Sequence, residues 1–76
     1  MCNAHFYYTF DMEFGKNFKY YRKQSDLTQK EVAAKLGISQ SNVSDWENNV
    51  SRPEYENLIA LAKLYDVTLD ELLGQK

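Results

Sequence analysis

"LTQKEVAAKLGISQSNVSDWENN", residues 27–49, changes character at its middle. The run Thr28-Gln29-Lys30-Glu31 has the form of a capping box. Thr28 can accept from the backbone N–H of Glu31, and the Glu31 carboxylate can reach back to the N–H of Thr28. This opens a helix whose inner face is Val32, Ala33 and Leu36. Gly37 ends it, because glycine enters the left-handed region without a Cβ penalty. Ser39, one residue after Ile38, is a suitable N-cap, and the spacing predicts a second helix reaching about Asn48. Only Val43 and Trp46 are apolar there, three residues apart, as on a helix with one buried face. The exposed side then carries Gln40, Ser41, Asn42, Ser44, Asp45 and Asn48, all short amides, hydroxyls or a carboxylate.

The flanking sequence is helical as well. Phe14, Phe18 and Tyr21 fall at i, i+4, i+7 and predict a helix over about residues 14–25. Pro53 fits the start of a further helix, where its missing N–H is no loss, and Glu54 and Glu56 suit the positive end of that helix's dipole. Leu58, Leu61, Ala62 and Tyr65 form its buried stripe. A second capping box, "TLDE" at 68–71, opens a short fifth helix with Leu72 and Leu73 inside. The fold class is therefore all-α, with five helices over residues 14–76 and an N-terminal arm over 1–13.

A chain of 76 residues supports one domain, near the lower limit for independent folding. No apolar run approaches the roughly 20 residues of a membrane span, and no secretory signal is evident at the N-terminus. The single cysteine, Cys2, excludes an intrachain disulfide, and with the single histidine, His5, makes a poor basis for a metal site. No nucleophile, base and orienter set supports an enzyme, and no cofactor is called for. A cytoplasmic protein is the expectation. The net charge of −2 is unfavourable for a polyanionic partner, but it is unevenly spread. Residues 16–35 hold six cations (Lys16, Lys19, Arg22, Lys23, Lys30, Lys35) against Asp26 and Glu31, whereas residues 53–76 are acidic.

Two short helices joined by a tight turn, the second polar on its outer face, make a helix-turn-helix. The major groove of B-DNA, about 12 Å wide, admits one helix, and amides and hydroxyls can reach base edges there. The quoted stretch, together with Pro53 and "LIALAKLYDVTLDELL", resembles the Cro/C1-type family, also called Xre, of phage and bacterial regulators. The positions that agree include Gln29, Ala33, Gly37, Ser39, Val43, Trp46 and Glu47, and the resemblance covers about residues 14–74. It implies a five-helix, lambda-repressor-like domain that binds double-stranded operator DNA, usually as a dimer on a palindrome. Carried over by position, it implies base reading by Gln40, Ser41 and Asp45, with Ser44 a further candidate. It places Gln29, Asn42, Asn48, Ser51 and Arg52 against the DNA backbone, and pairs Arg22 with Glu47 to tie the first helix to the third. As a half-exposed pair, the latter is expected to contribute about 1 kcal/mol. Asn49 departs from the pattern, standing where the family commonly has glycine; asparagine tolerates the left-handed region better than most residues.

The reading is a sequence-specific DNA-binding regulator, most simply a repressor acting as a homodimer. Two alternatives share the fold: the antitoxin of a toxin–antitoxin pair, with a toxin protein as second partner, and a protein-interaction module that no longer binds DNA. The segment "HFYYTFDMEF" at 5–14 lies outside the resemblance. Residues 6–10 are aromatic or β-branched and favour a strand, with Phe6, Tyr8 and Phe10 on one face. An unpaired strand needs partners for its N–H and C=O groups, so this arm is one candidate dimer contact; Leu69 and Leu73 of the fifth helix are the other.

Overall fold

The computed structural model describes residues 14–74, and these form five α-helices with no strand among them. The expectations placed on residues 1–13 (the strand arm, with Phe6, Tyr8 and Phe10) lie outside the described residues. The helices are α1 (Phe14–Gln24), α2 (Gln29–Leu36), α3 (Gln40–Glu47), α4 (Tyr55–Tyr65) and α5 (Leu69–Leu73). None is long and apolar enough to cross a membrane.

Each helix contributes a narrow apolar stripe to one core: Phe18 from α1, Val32 and Ala33 from α2, Val43 and Trp46 from α3, Leu61, Ala62 and Tyr65 from α4, and Leu72 from α5. Val32, Leu61 and Leu72 are essentially inaccessible to solvent, so truncating either leucine to alanine costs about 2–5 kcal/mol. Ala33 is small enough for α2 and α3 to pack closely. The α3 helix rests on both α2 and α1, while α5 closes the core against α1 and α4.

Both capping boxes form. Thr28 Oγ1 accepts from the Glu31 N–H at 3.1 Å while Glu31 Oε1 accepts from the Thr28 N–H at 2.8 Å, and Thr68 and Glu71 repeat the pattern at 3.0 and 2.9 Å. Gly37 is left-handed at φ 73°, with Ile38 N–H bonded to Ala33 O and Gly37 N–H to Ala34 O, which makes a Schellman motif. Three other helix ends use the same device without glycine. Asp26, Asn49 and Asp66 take φ of 58°, 63° and 58°, and short side chains of this type are the ones that tolerate that region.

Three details differ from the sequence reading. Ser39 is the N-cap residue of α3 by backbone angle, yet its side chain makes no cap bond; its hydroxyl instead meets Ser41 Oγ at 3.1 Å. Pro53 does not open α4, because Glu54 is the N-cap and Tyr55 the first helical residue. The proline thus lies just outside the helix, and a residue before proline is biased away from helical backbone. Leu73 packs half-buried against the core, whereas Leu69 is 41% exposed.

Candidate nucleic-acid interface

α2 and α3 are joined by Gly37, Ile38 and Ser39, and the Schellman turn sets the angle between them. On α3, Val43, Trp46 and Glu47 are buried. At 100° per residue, Ser41, Ser44, Asp45 and Asn48 fall on the opposite side, with Asn42 and Gln40 at its two borders, Gln40 exposed in the first turn. Gln40, Ser41, Asn42 and Asn48 are exposed, and Ser44 and Asp45 are half-buried. Ser44 Oγ accepts from Asn48 Nδ2 at 3.3 Å. The Ser39–Ser41 and Ser44–Asn48 bonds occupy only part of these groups' capacity, since a hydroxyl donates once and accepts twice and an amide nitrogen donates twice.

The mount of α3 is a buried polar cluster. Arg22 of α1 donates from Nε to Glu47 Oε2 at 2.6 Å and from Nη2 to Oε1 at 3.1 Å, a bidentate fork. Its Nη1 donates to the Leu27 carbonyl at 2.9 Å, and Gln29 Nε2 donates to Glu47 Oε1 at 3.0 Å. One carboxylate on α3 thus gathers a guanidinium from α1 and an amide from the first residue of α2. The Arg22 and Glu47 side chains are only 10% and 3% exposed, so the expectation of a half-exposed pair is corrected. In such a site, removing one partner strands a charge and costs about 3–5 kcal/mol, well above the surface value. The Glu47 hydrogen bond raises the Arg22 pKa above its ordinary value. Tyr65 lies beneath this cluster; burial, then the Glu47 charge, pushes its phenol above the usual range.

The remaining residues lie at the rim. Gln29 is half-buried with its amide nitrogen held by Glu47, which leaves one N–H of that nitrogen for an outside acceptor. Ser51 and Arg52 are exposed on the loop after α3. That loop leaves α3 through a second Schellman motif, with Val50 N–H bonded to Asp45 O at 2.9 Å and Asn49 N–H to Trp46 O at 3.3 Å. The loop and the start of α1 flank a crevice of about 360 Å³. The exposed cations Lys16, Lys19, Lys23, Lys30 and Lys35 all lie on α1 and α2. The sequence reading passed over two features: Asn49 also holds Gly15 across the fold, and α4 exposes Tyr55 and Ile59, 83% and 45% accessible, at an i, i+4 spacing that marks one face.

A family model described as Helix-turn-helix matches residues 18–72, spanning α2, the turn and α3. The chain belongs to this helix-turn-helix family, of Cro/C1 type. Among similar proteins, the HTH-type transcriptional regulator ImmR of Bacillus subtilis (strain 168) is 41% identical over 64 residues, 84% of this chain and 50% of ImmR. The HTH-type transcriptional activator BcrR of Enterococcus faecalis is 37% identical over 63 residues, 83% of this chain and 31% of BcrR. The cryptic phage CTXphi transcriptional repressor RstR of Vibrio cholerae is 33% identical over 54 residues, 71% of this chain and 48% of RstR. The helix-turn-helix chain thus spans about half the length, or less, of the curated relatives it matches.

Proposed function

We propose that this chain is a sequence-specific double-stranded DNA-binding transcriptional regulator that reads a palindromic operator as a homodimer. The observation that carries this is the polar side of α3, standing opposite Val43 and Trp46 on a helix clamped through Glu47. Gln40, Ser41, Ser44 and Asp45 are the base-reading set. Gln40 and the serines offer both donors and acceptors, and Asp45 accepts from cytosine N4. Gln29, Asn42, Asn48, Ser51 and Arg52 face phosphates, which fix register without carrying sequence.

The sign of the regulation is not set by α3, since BcrR is named an activator and RstR a repressor over the same kind of matched unit. Repression is the reading adopted, because occupying an operator that overlaps a promoter needs no surface beyond the DNA-binding one. The dimer contact belongs to the exposed apolar residues; Leu69 qualifies, and Leu73 is largely spent on the core. The activity is binding rather than catalysis, and its setting is the cytoplasm.

The test is selection of bound duplexes from a random pool. The expected result is an inverted repeat whose half-site centres lie about 34–36 Å apart, one helical turn. Recovery of no common sequence would sink the reading. A tightly held protein that co-purifies with the chain would favour the antitoxin alternative.

A further inference from the structure

Asn49 does more than end α3. Its side-chain Oδ1 accepts from the backbone N–H of Gly15 at 3.0 Å, across 34 residues of sequence. Gly15 is the second residue of α1, so its N–H is one of the first-turn donors that has no partner within the helix. The acceptor is thus a cap delivered to α1 from the end of another helix. Backbone meets backbone at the same junction. A Cβ on Gly15 would collide with the Glu47 carbonyl oxygen and approach Asn49 Oδ1 to 2.8 Å. Glu47 is the last residue of α3, so the positive end of α1 abuts the negative end of α3, a favourable pairing of helix dipoles.

We propose that Asn49 is a positioning residue for base reading: its bond to Gly15 fixes the tilt of α3 on α1. The inference rests on the DNA-binding reading above. Glu47, tied to Arg22, and Asn49, tied to Gly15, hold the same C-terminal end of α3, and Gly15 and Arg22 are both on the buried face of α1. The base-reading end, beginning at Gln40, extends from this anchor. A helix of eight residues is about 12 Å long at 1.5 Å per residue, so a tilt of about 10° at the anchor displaces its far end by about 2 Å. That is enough to break a hydrogen bond to a base edge. The backbone contact of Gly15 with Glu47 and the Arg22–Glu47 fork set how closely the helices approach, while the crevice lined by Phe14, Trp46 and Val50 leaves one side of this corner open. The Asn49–Gly15 bond is the directional tie on that open side. Asparagine serves both roles at once, since it tolerates φ 63° and carries the acceptor. Glycine would serve only the first.

The experiment uses Asn49→Gly, which keeps the left-handed turn, and Asn49→Asp, which keeps the acceptor. In the free protein, Asn49→Gly should speed amide exchange at Gly15 and shift the amide resonances of Gln40 to Ser44. On DNA it should lower the ratio of cognate to scrambled affinity about three- to tenfold, the range set by one neutral hydrogen bond, with non-specific affinity unchanged. Asn49→Asp should restore that ratio, even if its added charge weakens binding to both duplexes. Unchanged Gly15 exchange in Asn49→Gly would overturn the bond. Faster exchange with an unchanged ratio would overturn the positioning role. A wild-type protein that shows no cognate preference would instead defeat the DNA-binding reading, and the positioning role with it, while Gly15 exchange still reports the bond.

Discussion

Arg22, Gln29 and Glu47 come from three different helices and meet at one carboxylate. That meeting decides what single substitutions do. Arg22→Ala leaves Glu47 buried beside no cation, and the expected loss is about 3–5 kcal/mol in urea denaturation; a loss under about 1 kcal/mol would mean the pair behaves as an exposed one. Gln29 and Gln40 have the same side chain and different assignments. Gln40→Ala should cost about 1–3 kcal/mol on the cognate duplex if its contact is bidentate, and little on a scrambled one. Gln29→Ala should weaken both, because phosphates carry no sequence, with a smaller added loss on the cognate duplex because Glu47 also loses the Gln29 bond. Equal behaviour of the two variants would sink the assignment. Tyr65 supplies a pH signature. Its folded pKa is raised above the unfolded value of about 10, so the neutral phenol favours the folded state. That stability is complete below about pH 10 and is lost as the pH climbs past it. Helix content followed by circular dichroism from pH 9 to 12 should fall less steeply for Tyr65→Phe, once both are referenced to neutral pH. Parallel curves would show that another group drives alkaline unfolding.

The helices themselves were legible because their start signals act within four residues. Thr28 and Thr68 each see their glutamate three positions on, and both boxes formed. Apolar periodicity likewise placed Trp46 and Leu61 in the core. Signals that depend on the rest of the fold were not legible. Ser39 looks like Thr28 in sequence, but residue 42 is asparagine, so no glutamate returns the bond, and the serine turns to Ser41 instead. Asp26 and Asp66 end helices in the left-handed region without glycine, and the sequence reading assigned them no such role. The Asn49–Gly15 bond spans half the chain, and no local pattern announces it. The burial of Arg22–Glu47 was also hidden, since a pairing read from sequence carries no information on what covers it. The two N-caps give a direct comparison. Thr28→Ala should cost about 1 kcal/mol, whereas Ser39→Ala, which loses no cap bond, should stay within about 0.5 kcal/mol of wild type. Thermal melts of both variants measure this, and an equal cost would mean that Ser39 caps α3 in solution.

For the molecule as a whole, the question is how a chain of net charge −2 approaches a polyanion. The charge is segregated: Lys30 and Arg52 stand exposed beside the helix-turn-helix, while Glu54, Glu56, Asp66, Asp70 and Glu71 are exposed on and around α4 and α5. The salt dependence of binding counts the cations that actually meet phosphates, because only these release counterions. The proposed backbone contacts are mostly neutral (Gln29, Asn42, Asn48 and Ser51), so the count is small. If the exposed Lys30, next to Gln29, also reaches a phosphate, Arg52 and Lys30 from each protomer of the proposed dimer would make four cationic contacts, and at about −0.9 each the slope of log K against log salt should be about −3.6. Arg52→Ala removes two of the four and should halve the slope to about −1.8. Fluorescence anisotropy on the selected duplex between 50 and 200 mM salt measures both values. A slope that does not change in Arg52→Ala would take Arg52 off the phosphates. A wild-type slope already near half the expected value would mean that a single protomer binds, which would count against the dimer and the palindrome together.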